Sequence, residues 1–485
     1  MIDHLAGRPI LTTARMRETE DRAFACGHVT AAGLMEEAGL AIARQVHRLE
    51  PDRPVLVLAG PGNNGGDAYV AARHLQTLGR EVRVVAFGPP KPGIAAASAA
   101  AWTGPVLKAG EQMPANHLLV DGVFGAGSVR PEPARGWSDT LIAQAAQVIA
   151  IDLPSWVDAD TGDVRDWGRH LRADSTVALG ALKPAHLLAA DLCGQILFHD
   201  FGPEIIASAI ENKDVEPFRW RAMERSFAVA PRPTDHKYRG LVTIVSGAMP
   251  GAARLAARGA AGAGAGYVVL LGDPGMTGPL NAVVHRPIET LDEALAGNGV
   301  VLLGPGLGRD DRARDLLDRA LASRCALVLD GDALSLLGRD AAGRLRDRHR
   351  PGVPPTVLTP HEGEFARMFD TAPSKFEATQ AAVQASGAIV IHKGHCTIIG
   401  KPSGELTATT AGSIWLATAG TGDVLAGAVA ARWACSIGRG GQGSPYEEAV
   451  QLHARASQLA GPAFSADVLA EYLPRAMEES RWTRG

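Results

Sequence analysis

The sequence predicts an α/β protein of two domains, each built on a mostly parallel sheet. Three observations carry that prediction. Short apolar, β-branched runs alternate with Ala/Leu/Arg-rich segments, the pattern of repeated strand–helix units. Glycine-rich turns follow several of the strand runs. A charged stretch, Asn212 to Arg225, and a breaker cluster, Ala230-Pro-Arg-Pro-Thr234, then interrupt the alternation before it restarts. The expected division is therefore a first domain over 1–212, a linker over 213–235 and a second domain over 236–485. A chain of 485 residues is long enough for each part to bury its own core.

Buried strands are expected at Val55–Leu58, Val82–Phe87, Leu118–Val120 and Val148–Ile151 in the first part. Helical spacing lies between and before them; Leu34, Ala38, Ile42, Val46 and Leu49 recur at intervals of three or four. In the second part the strands fall at Leu241–Val245, Tyr267–Leu271, Val300–Leu303, Ala326–Leu329, Thr356–Leu358 and Ile389–Ile391. The two parts carry different glycine motifs and do not read as copies.

Bulk properties exclude several function classes. A net charge of −4 argues against binding nucleic acid through bulk charge. The five cysteines are scattered without a CxxC, so neither a zinc site nor a disulfide framework is expected, and a cytoplasmic location fits. The N-terminus has no long apolar run behind a basic start, so no secretory signal is expected. Gly251 to Leu271 is the most apolar-looking stretch, but Arg254 and Arg258 disqualify it as a membrane span. The expected partners are small molecules, with neither nucleic acid nor membrane, and a homo-oligomer is expected.

The first glycine loop follows a strand directly: Val55-Leu-Val-Leu-Ala-Gly60, then Pro61-Gly62-Asn63-Asn64-Gly65-Gly66-Asp67. A loop at a helix N-terminus offers free N–H groups and a favourable dipole to phosphate. Gly60, Gly62 and Gly65 satisfy G-x-G-x-x-G, yet the next strand ends Val85-Ala-Phe-Gly-Pro-Pro-Lys91 without the acid that a dinucleotide site uses for a ribose. The loop instead carries Asn63, Asn64 and Asp67, whose oxygens can coordinate a cation or handle a hydroxyl; a tight turn with Asx caps is the plainer reading. Two further strand ends carry Asp121 before Gly122-Val-Phe-Gly-Ala-Gly127, and Asp152 before Leu153-Pro-Ser155. In a parallel sheet these ends share one edge, so the groups converge on one crevice. Asn64, Asp121 and Ser155 make an all-oxygen site for a monovalent cation. Asp152 remains as a candidate acid/base, with helix capping the alternative for each Asp alone.

These segments, G-P-G-N-N-G-G-D, D-G-V-F-G-A-G and I-D-L-P-S, resemble the NAD(P)H-hydrate epimerase family over most of residues 10–205. The resemblance implies a Rossmann-like three-layer αβα domain that interconverts the R and S epimers of hydrated NADH and NADPH. It implies substrate contacts from Asn63, Asn64, Gly65, Gly66 and Asp67, from Gly125, Ala126, Gly127, Ser128, Val129, Arg130 and Pro131, and from Asp152. It implies potassium (K+) held by Asn64, Asp121 and Ser155. Ala68 and Trp156 stand where that family commonly has glycine.

The most informative stretch of the second part is Thr409-Thr-Ala-Gly-Ser-Ile-Trp-Leu-Ala-Thr-Ala-Gly-Thr-Gly-Asp423-Val-Leu-Ala-Gly427. Its glycine turn puts Asp423 at the start of an apolar helix. Free N–H groups there can hold a transferring phosphoryl group or an oxyanion, and the carboxylate can take a proton from a hydroxyl. The helix dipole favours the ionised form. Asp423 as a simple helix cap is the alternative. Leu302-Leu-Gly-Pro-Gly-Leu-Gly308, Leu358-Thr-Pro-His361-Glu-Gly-Glu364 and Ile391-His-Lys393-Gly-His-Cys-Thr397 end other strands with glycine or polar groups. Lys393 can neutralise phosphate or be a solvated strand-end lysine. His361 can be a site residue or a capping histidine. No G-x-x-x-x-G-K-[ST] occurs, which excludes a P-loop enzyme.

With His236-Lys-Tyr-Arg-Gly240 and Met249-Pro-Gly-Ala-Ala253, this set resembles the ribokinase-like superfamily, and within it ADP-dependent NAD(P)H-hydrate dehydratase, over about residues 230–480. The resemblance implies dehydration of the S hydrate with ADP as co-substrate, giving AMP and phosphate, with Mg2+ bridging the phosphates. It implies that Ala253, Gly308, His361 and Asp423 contact the hydrate, that Lys393, Gly394, His395, Cys396, Thr397 and Gly422 contact the nucleotide, and that Asp423 is the base. Asp330-Gly-Asp332 replaces the usual Asp-Ala-Asp, and His392 replaces an aliphatic residue. The competing reading is a ribokinase-like vitamin kinase with a non-catalytic N-terminal binding domain.

Overall fold

Val55–Ala59 is five apolar residues without one exposed side chain, and the first sheet is built outward from it. A strand buried on both faces needs a layer above and below it, which makes a parallel three-layer arrangement the natural solution. In the computed structural model of the chain, residues 5–107, 111, 115–126, 137–164, 172–202, 205, 219–224, 240–272, 282–441 and 443–482 are described. The chain forms two compact units, Arg8–Arg219 and Trp220–Gly485, the latter also taking in the first seven residues.

The strands of the first unit are β1 (Val55–Ala59), β2 (Val82–Ala86), β3 (Val106–Leu107), β4 (His117–Gly122), β5 (Ala145–Ile151), β6 (Ser175–Leu179) and β7 (Gln195–His199). They pair throughout in parallel, in the order β3-β2-β1-β4-β5-β6-β7. This is the doubly wound Rossmann order, with its reversal between β1 and β4. On one face, the helices Ala31–Leu49 and Asn63–Thr77 bury Ile42, Val46 and Leu75 against Val57, Val84 and Val120. The opposite face packs Leu58, Leu119 and Ala150 with Leu141 and Trp156.

The second unit carries β8 (Arg219–Ala222), β9 (Leu241–Val245), β10 (Tyr267–Leu271), β11 (Val284–Arg286), β12 (Val300–Leu303), β13 (Ala326–Leu329), β14 (Val357–Leu358), β15 (Ile389–His392), β16 (Thr397–Gly400) and β17 (Glu405–Thr409). The order is β11-β10-β9-β12-β13-β14-β15-β16-β17-β8. It is parallel from β11 to β15 and turns antiparallel at β16 and β17. β8 lies inside the stretch expected to be a linker. The Gly7 amide donates to the Ala222 carbonyl at 3.1 Å, which ties the N-terminal tail to this unit. The Ala/Gly-rich stretch after Met249 is a helix, Pro250–Gly262, that buries Ala253, Ala256, Ala257, Gly259 and Ala260 on one face and leads into β10. It packs against the helix Thr421–Ile437 closely enough that a Cβ on Gly427 would lie 1.9 Å from the Ala256 carbonyl oxygen. Among the described residues no helix is long and apolar enough to cross a membrane.

Candidate functional site

The chain leaves β1 toward β2 on one side while β4 continues on the other, so a crevice opens at the carboxyl edge between them. The helix Asn63–Thr77 starts in that crevice, with Gly62 as its N-cap and no side-chain cap bond. The positive end of the helix dipole thus faces the crevice, where it favours an anionic ligand. The turn requires glycine: a Cβ at Gly60 would sit 1.8 Å from the Val123 carbonyl oxygen, and one at Gly65 1.8 Å from that of Gly60.

A cavity of about 390 Å3 occupies this crevice, and Asn63, Asn64, Asp67, Gly125, Ala126 and Asp152 line it. Gly65 and Gly66 are buried in the first helical turn. Gly127, Ser128, Val129, Arg130 and Pro131 lie outside the described residues. Asp121 and Ser155 are completely buried. The Ser155 amide and hydroxyl donate to the two Asp121 carboxylate oxygens at 2.7 and 2.6 Å, and the Phe124 amide donates to the Ser155 hydroxyl at 2.8 Å. Asn64 lies against the same loop, its Oδ1 2.7 Å from where a Cβ on Gly125 would stand. The expected cation ligands thus meet at one loop cluster, and their donor atoms are all oxygen, the set a hard cation prefers.

Asp152 follows β5 directly with φ +62°, a left-handed conformation that Asp tolerates better than most residues. Its carboxylate accepts from Lys183 Nζ at 2.5 Å and from the Leu179 amide at 3.4 Å. Its carbonyl accepts from His186 Nε2 at 2.6 Å, while His186 Nδ1 accepts from the Lys183 amide at 2.9 Å. Those partners fix a neutral imidazole. Burial, opposed by Asp152, lowers its pKa to about 4. Lys183, Glu20 and His186 were not anticipated. Lys183 follows β6, a strand the apolar-run reading passed over because Ser175 and Thr176 interrupt it. With β6 assigned, its trailing Lys183-Pro184 falls on the same carboxyl edge. Glu20 sits on the helix Thr13–Ala25, which no glycine turn marks. Burial, with Asp152 adding and Lys183 opposing, raises the Glu20 carboxyl above its usual range. Burial, then Asp152 and Glu20, push Asp67 well above its own.

The two glycine replacements are accommodated away from the cavity lining. Trp156 takes φ +74°, the backbone glycine would adopt, and buries its ring edge-on to Phe124 at 6.1 Å. The Ala68 methyl is buried in the core on the Asn63–Thr77 helix, where Gly122 leaves room for it.

In the second unit the reversal lies between β9 and β12. Gly420, at φ +88°, turns the chain into the helix Thr421–Ile437, and Asp423 stands in its first turn. His453 Nε2 donates to the Thr421 carbonyl at 2.9 Å and braces that turn. Lys393 Nζ bonds Asp330 at 2.9 Å and lies 3.3 Å from where a Cβ on Gly422 would stand. Asp332 accepts from the Gly308 amide at 3.0 Å and from Arg309 at 2.8 Å. Asp423, Gly422, Lys393 and Gly308 are therefore brought to one place. His361 caps the helix Glu362–Met368, its Nδ1 accepting from the Gly363 amide at 3.0 Å. Its ring remains half exposed. The Ala253 methyl is in the core. In the Lys393–Thr397 loop, Cys396 is buried and its thiol is pushed up to about 12 by burial. His236, Lys237, Tyr238 and Arg239 lie outside the described residues.

The helix dipole does not decide the state of Asp423. Burial first, then Asp330, Glu364 and Asp332, push its pKa up to about 7, against the opposing Lys393. Burial alone would lower Lys393, but Asp330, Glu364 and Asp423 outweigh it and hold the ammonium charged. His392 is buried, stacked on Phe365 at 4.1 Å, and acts as core rather than ligand.

Comparison with known proteins follows the same division. Residues 242–479 match the family model described as NAD(P)H-hydrate dehydratase, and residues 31–185 the one described as YjeF-related protein N-terminus. The chain is 36% identical to the bifunctional NAD(P)H-hydrate repair enzyme of Gloeobacter violaceus, over 87% of this chain and 88% of that protein. It is 34% identical to the enzyme of that name in Mycobacterium tuberculosis, over 80% of each. Its counterpart in Escherichia coli is 33% identical, over 82% of this chain and 80% of that one. Among solved structures, ADP/ATP-dependent NAD(P)H-hydrate dehydratase from Bacillus subtilis, co-crystallised with ATP and Mg2+, aligns at TM-score 0.45 and 24% identity, covering 53% of this chain and all of that one.

Proposed function

The chain belongs to the family of bifunctional NAD(P)H-hydrate repair enzymes, and from that membership we propose how its two sites divide the work. The protein is both an NAD(P)H-hydrate epimerase and an NAD(P)H-hydrate dehydratase. The first unit equilibrates the R and S hydrates, and the second consumes the S hydrate.

In the epimerase cavity, Asp152 takes the proton of the hydrate hydroxyl as the C–N bond of that carbon breaks to give the ring-opened aldehyde, and returns it when the nitrogen adds back to the other face. The first turn of the Asn63–Thr77 helix, with Asp67, Gly125 and Ala126, holds the substrate. Asn64, Asp121 and Ser155 would hold potassium, and the ion would supply positive charge beside that anion-binding turn. Support comes from the all-oxygen donor set and the burial of Asp121.

In the second site Asp423 takes the proton of the hydrate hydroxyl as that oxygen attacks the terminal phosphate of ADP and the P–O bond to AMP breaks. The phosphate then leaves the ring carbon with a proton from the neighbouring carbon, restoring the double bond. The Gly420–Gly422 turn and the Lys393–Thr397 loop cradle the phosphates, and Lys393 offsets their charge. Mg2+ bound with the nucleotide would supply positive charge to the phosphates beside Lys393. One observation carries this assignment: Asp423, at a helix start, has a pKa raised to about 7, so it can both accept and release a proton near neutral pH. A vitamin kinase shares that feature but has no use for a second cavity around Asp152. The test uses two full-length variants. Asp152→Ala is expected to lose conversion of the R hydrate while still dehydrating the S hydrate with ADP. Asp423→Asn is expected to do the reverse. Loss of both activities in either variant, or of neither, rejects the division.

A further inference from the structure

We propose that Lys183 is a positioning residue of the epimerase: it pairs with the Asp152 carboxylate and fixes its direction, so that Asp152 meets the hydrate aligned as a proton acceptor. The inference rests on Asp152 as the acid/base group and adds a residue that neither the motifs nor the family resemblance assigns.

The geometry is that of a clamp. The Lys183 side chain is only 3% exposed, and its ammonium bonds Asp152 Oδ1 at 2.5 Å and the Leu179 carbonyl at 3.0 Å. A buried ammonium requires a counter-charge, and Asp152 supplies it. The Lys183 amide is held by His186 Nδ1, and the other nitrogen of that ring holds the Asp152 carbonyl. One side chain is thus fixed at its carboxylate by Lys183 and at its backbone by His186. The left-handed backbone of Asp152 persists because these bonds over-determine it.

The remaining groups around the cavity make such a clamp necessary. Glu20 and Arg17 face it from the helix Thr13–Ala25, Asp67 from the helix Asn63–Thr77, and Lys91 from the loop after β2. Cys193 lies behind, on the short helix Ala190–Cys193, with its thiol pushed up to about 12. Glu20, Asp67 and Asp152 interact mutually, and each is offset by Lys183. Three carboxyls around one ammonium cannot all ionise readily. The direct bond of Lys183 goes to Asp152, while the Glu20 and Asp67 carboxyls are pushed above their usual range. Without Lys183, the Asp152 carboxylate loses its bonded counter-charge beside Glu20 and Asp67.

The test is the pH dependence of R-to-S epimerisation in the full chain, with dehydration of the S hydrate as an internal control for folding. Lys183→Met is expected to lower kcat at least about tenfold with little change in KM. It should also move the acid limb of the profile upward by about 1–3 units, the span by which one adjacent opposite charge commonly shifts a carboxyl. Lys183→Arg keeps the charge, so its limb should stay within about half a unit of wild type while kcat falls. A wild-type limb in Lys183→Met overturns the proposal. If Lys183→Met also loses dehydration, it has misfolded and Lys183→Arg decides; a limb displaced by a unit or more there overturns it. Asp152→Ala separates the two readings. If that variant epimerises normally, the acid/base reading fails, and the clamp on it fails with it. If it is inactive while Lys183→Met is normal, only the clamp fails.

Discussion

Replacing Asp330 by Asn tests the electrostatics of the dehydratase site more sharply than removing Asp423 itself. Asp330 is almost completely buried, accepts from the Thr359 hydroxyl at 2.7 Å and pairs with Lys393 at 2.9 Å. After burial it is the largest cause of the raised Asp423 pKa. An Asn of the same shape keeps the Thr359 bond, removes a negative charge from beside Asp423 and frees Lys393 to face it. Both changes favour ionised Asp423, so the sign is unambiguous. In the wild type, a pKa of about 7 makes Asp423 roughly one-tenth ionised at pH 6 and nine-tenths at pH 8. Dehydration under subsaturating hydrate should therefore rise about tenfold across that range. In Asp330→Asn the midpoint should fall by about one unit, worth about 1.4 kcal/mol, so that activity at pH 6 rises from about one-tenth to about half of its plateau. The plateau itself should drop, because Lys393 loses its anchor. The assay is initial recovery of reduced-nicotinamide absorbance from S hydrate with saturating ADP, from pH 5.5 to 8.5. A midpoint that stays fixed or moves to higher pH refutes the assignment of Asp423 as the titrating base.

Two further variants probe the packing that sets the sites in place. Trp156→Gly should relieve a strained backbone worth about 1–3 kcal/mol but lose a buried aromatic worth about 3–5 kcal/mol. The net effect is a destabilisation of about 2 kcal/mol in denaturant titration with epimerase activity retained below the transition; a stabilised variant contradicts this. Gly427→Ala should push the helix Thr421–Ile437 off its partner at Ala256, costing about 1–3 kcal/mol and reducing dehydration while sparing epimerisation. Unchanged dehydration would show that Asp423 tolerates such a shift.

The sequence was most legible where strands are apolar and buried on both faces. The ten strand runs it predicts all lie on observed strands, because β-branched runs such as Leu241-Val-Thr-Ile-Val245 bury both faces. The glycine turns were legible for a related reason. Gly60, Gly65 and Gly427 mark places where backbone meets backbone and no Cβ fits, so the residue type itself reports the approach. What escaped was long-range and polar. Lys183 meets Asp152 only because β6 lies next to β5, and nothing local to Lys183-Pro184 announces that pairing. Glu20 reaches the cavity from a helix whose sequence looks like a solvated face. Nor does the sequence show that the Asp423 carboxyl is buried among Asp330, Asp332 and Glu364, which the dipole argument alone reads the other way.

The central claim is that one chain epimerises and dehydrates. It is tested most directly by the end point of a single reaction: a mixture of R and S hydrates of NADH, excess ADP with Mg2+ and K+, and the wild-type protein. The account predicts that reduced-nicotinamide absorbance recovers completely, R and S shares alike, at a rate well above the uncatalysed epimerisation. Recovery that stops at the S share would remove the epimerase half, and no recovery with either ADP or ATP would contradict the account as a whole.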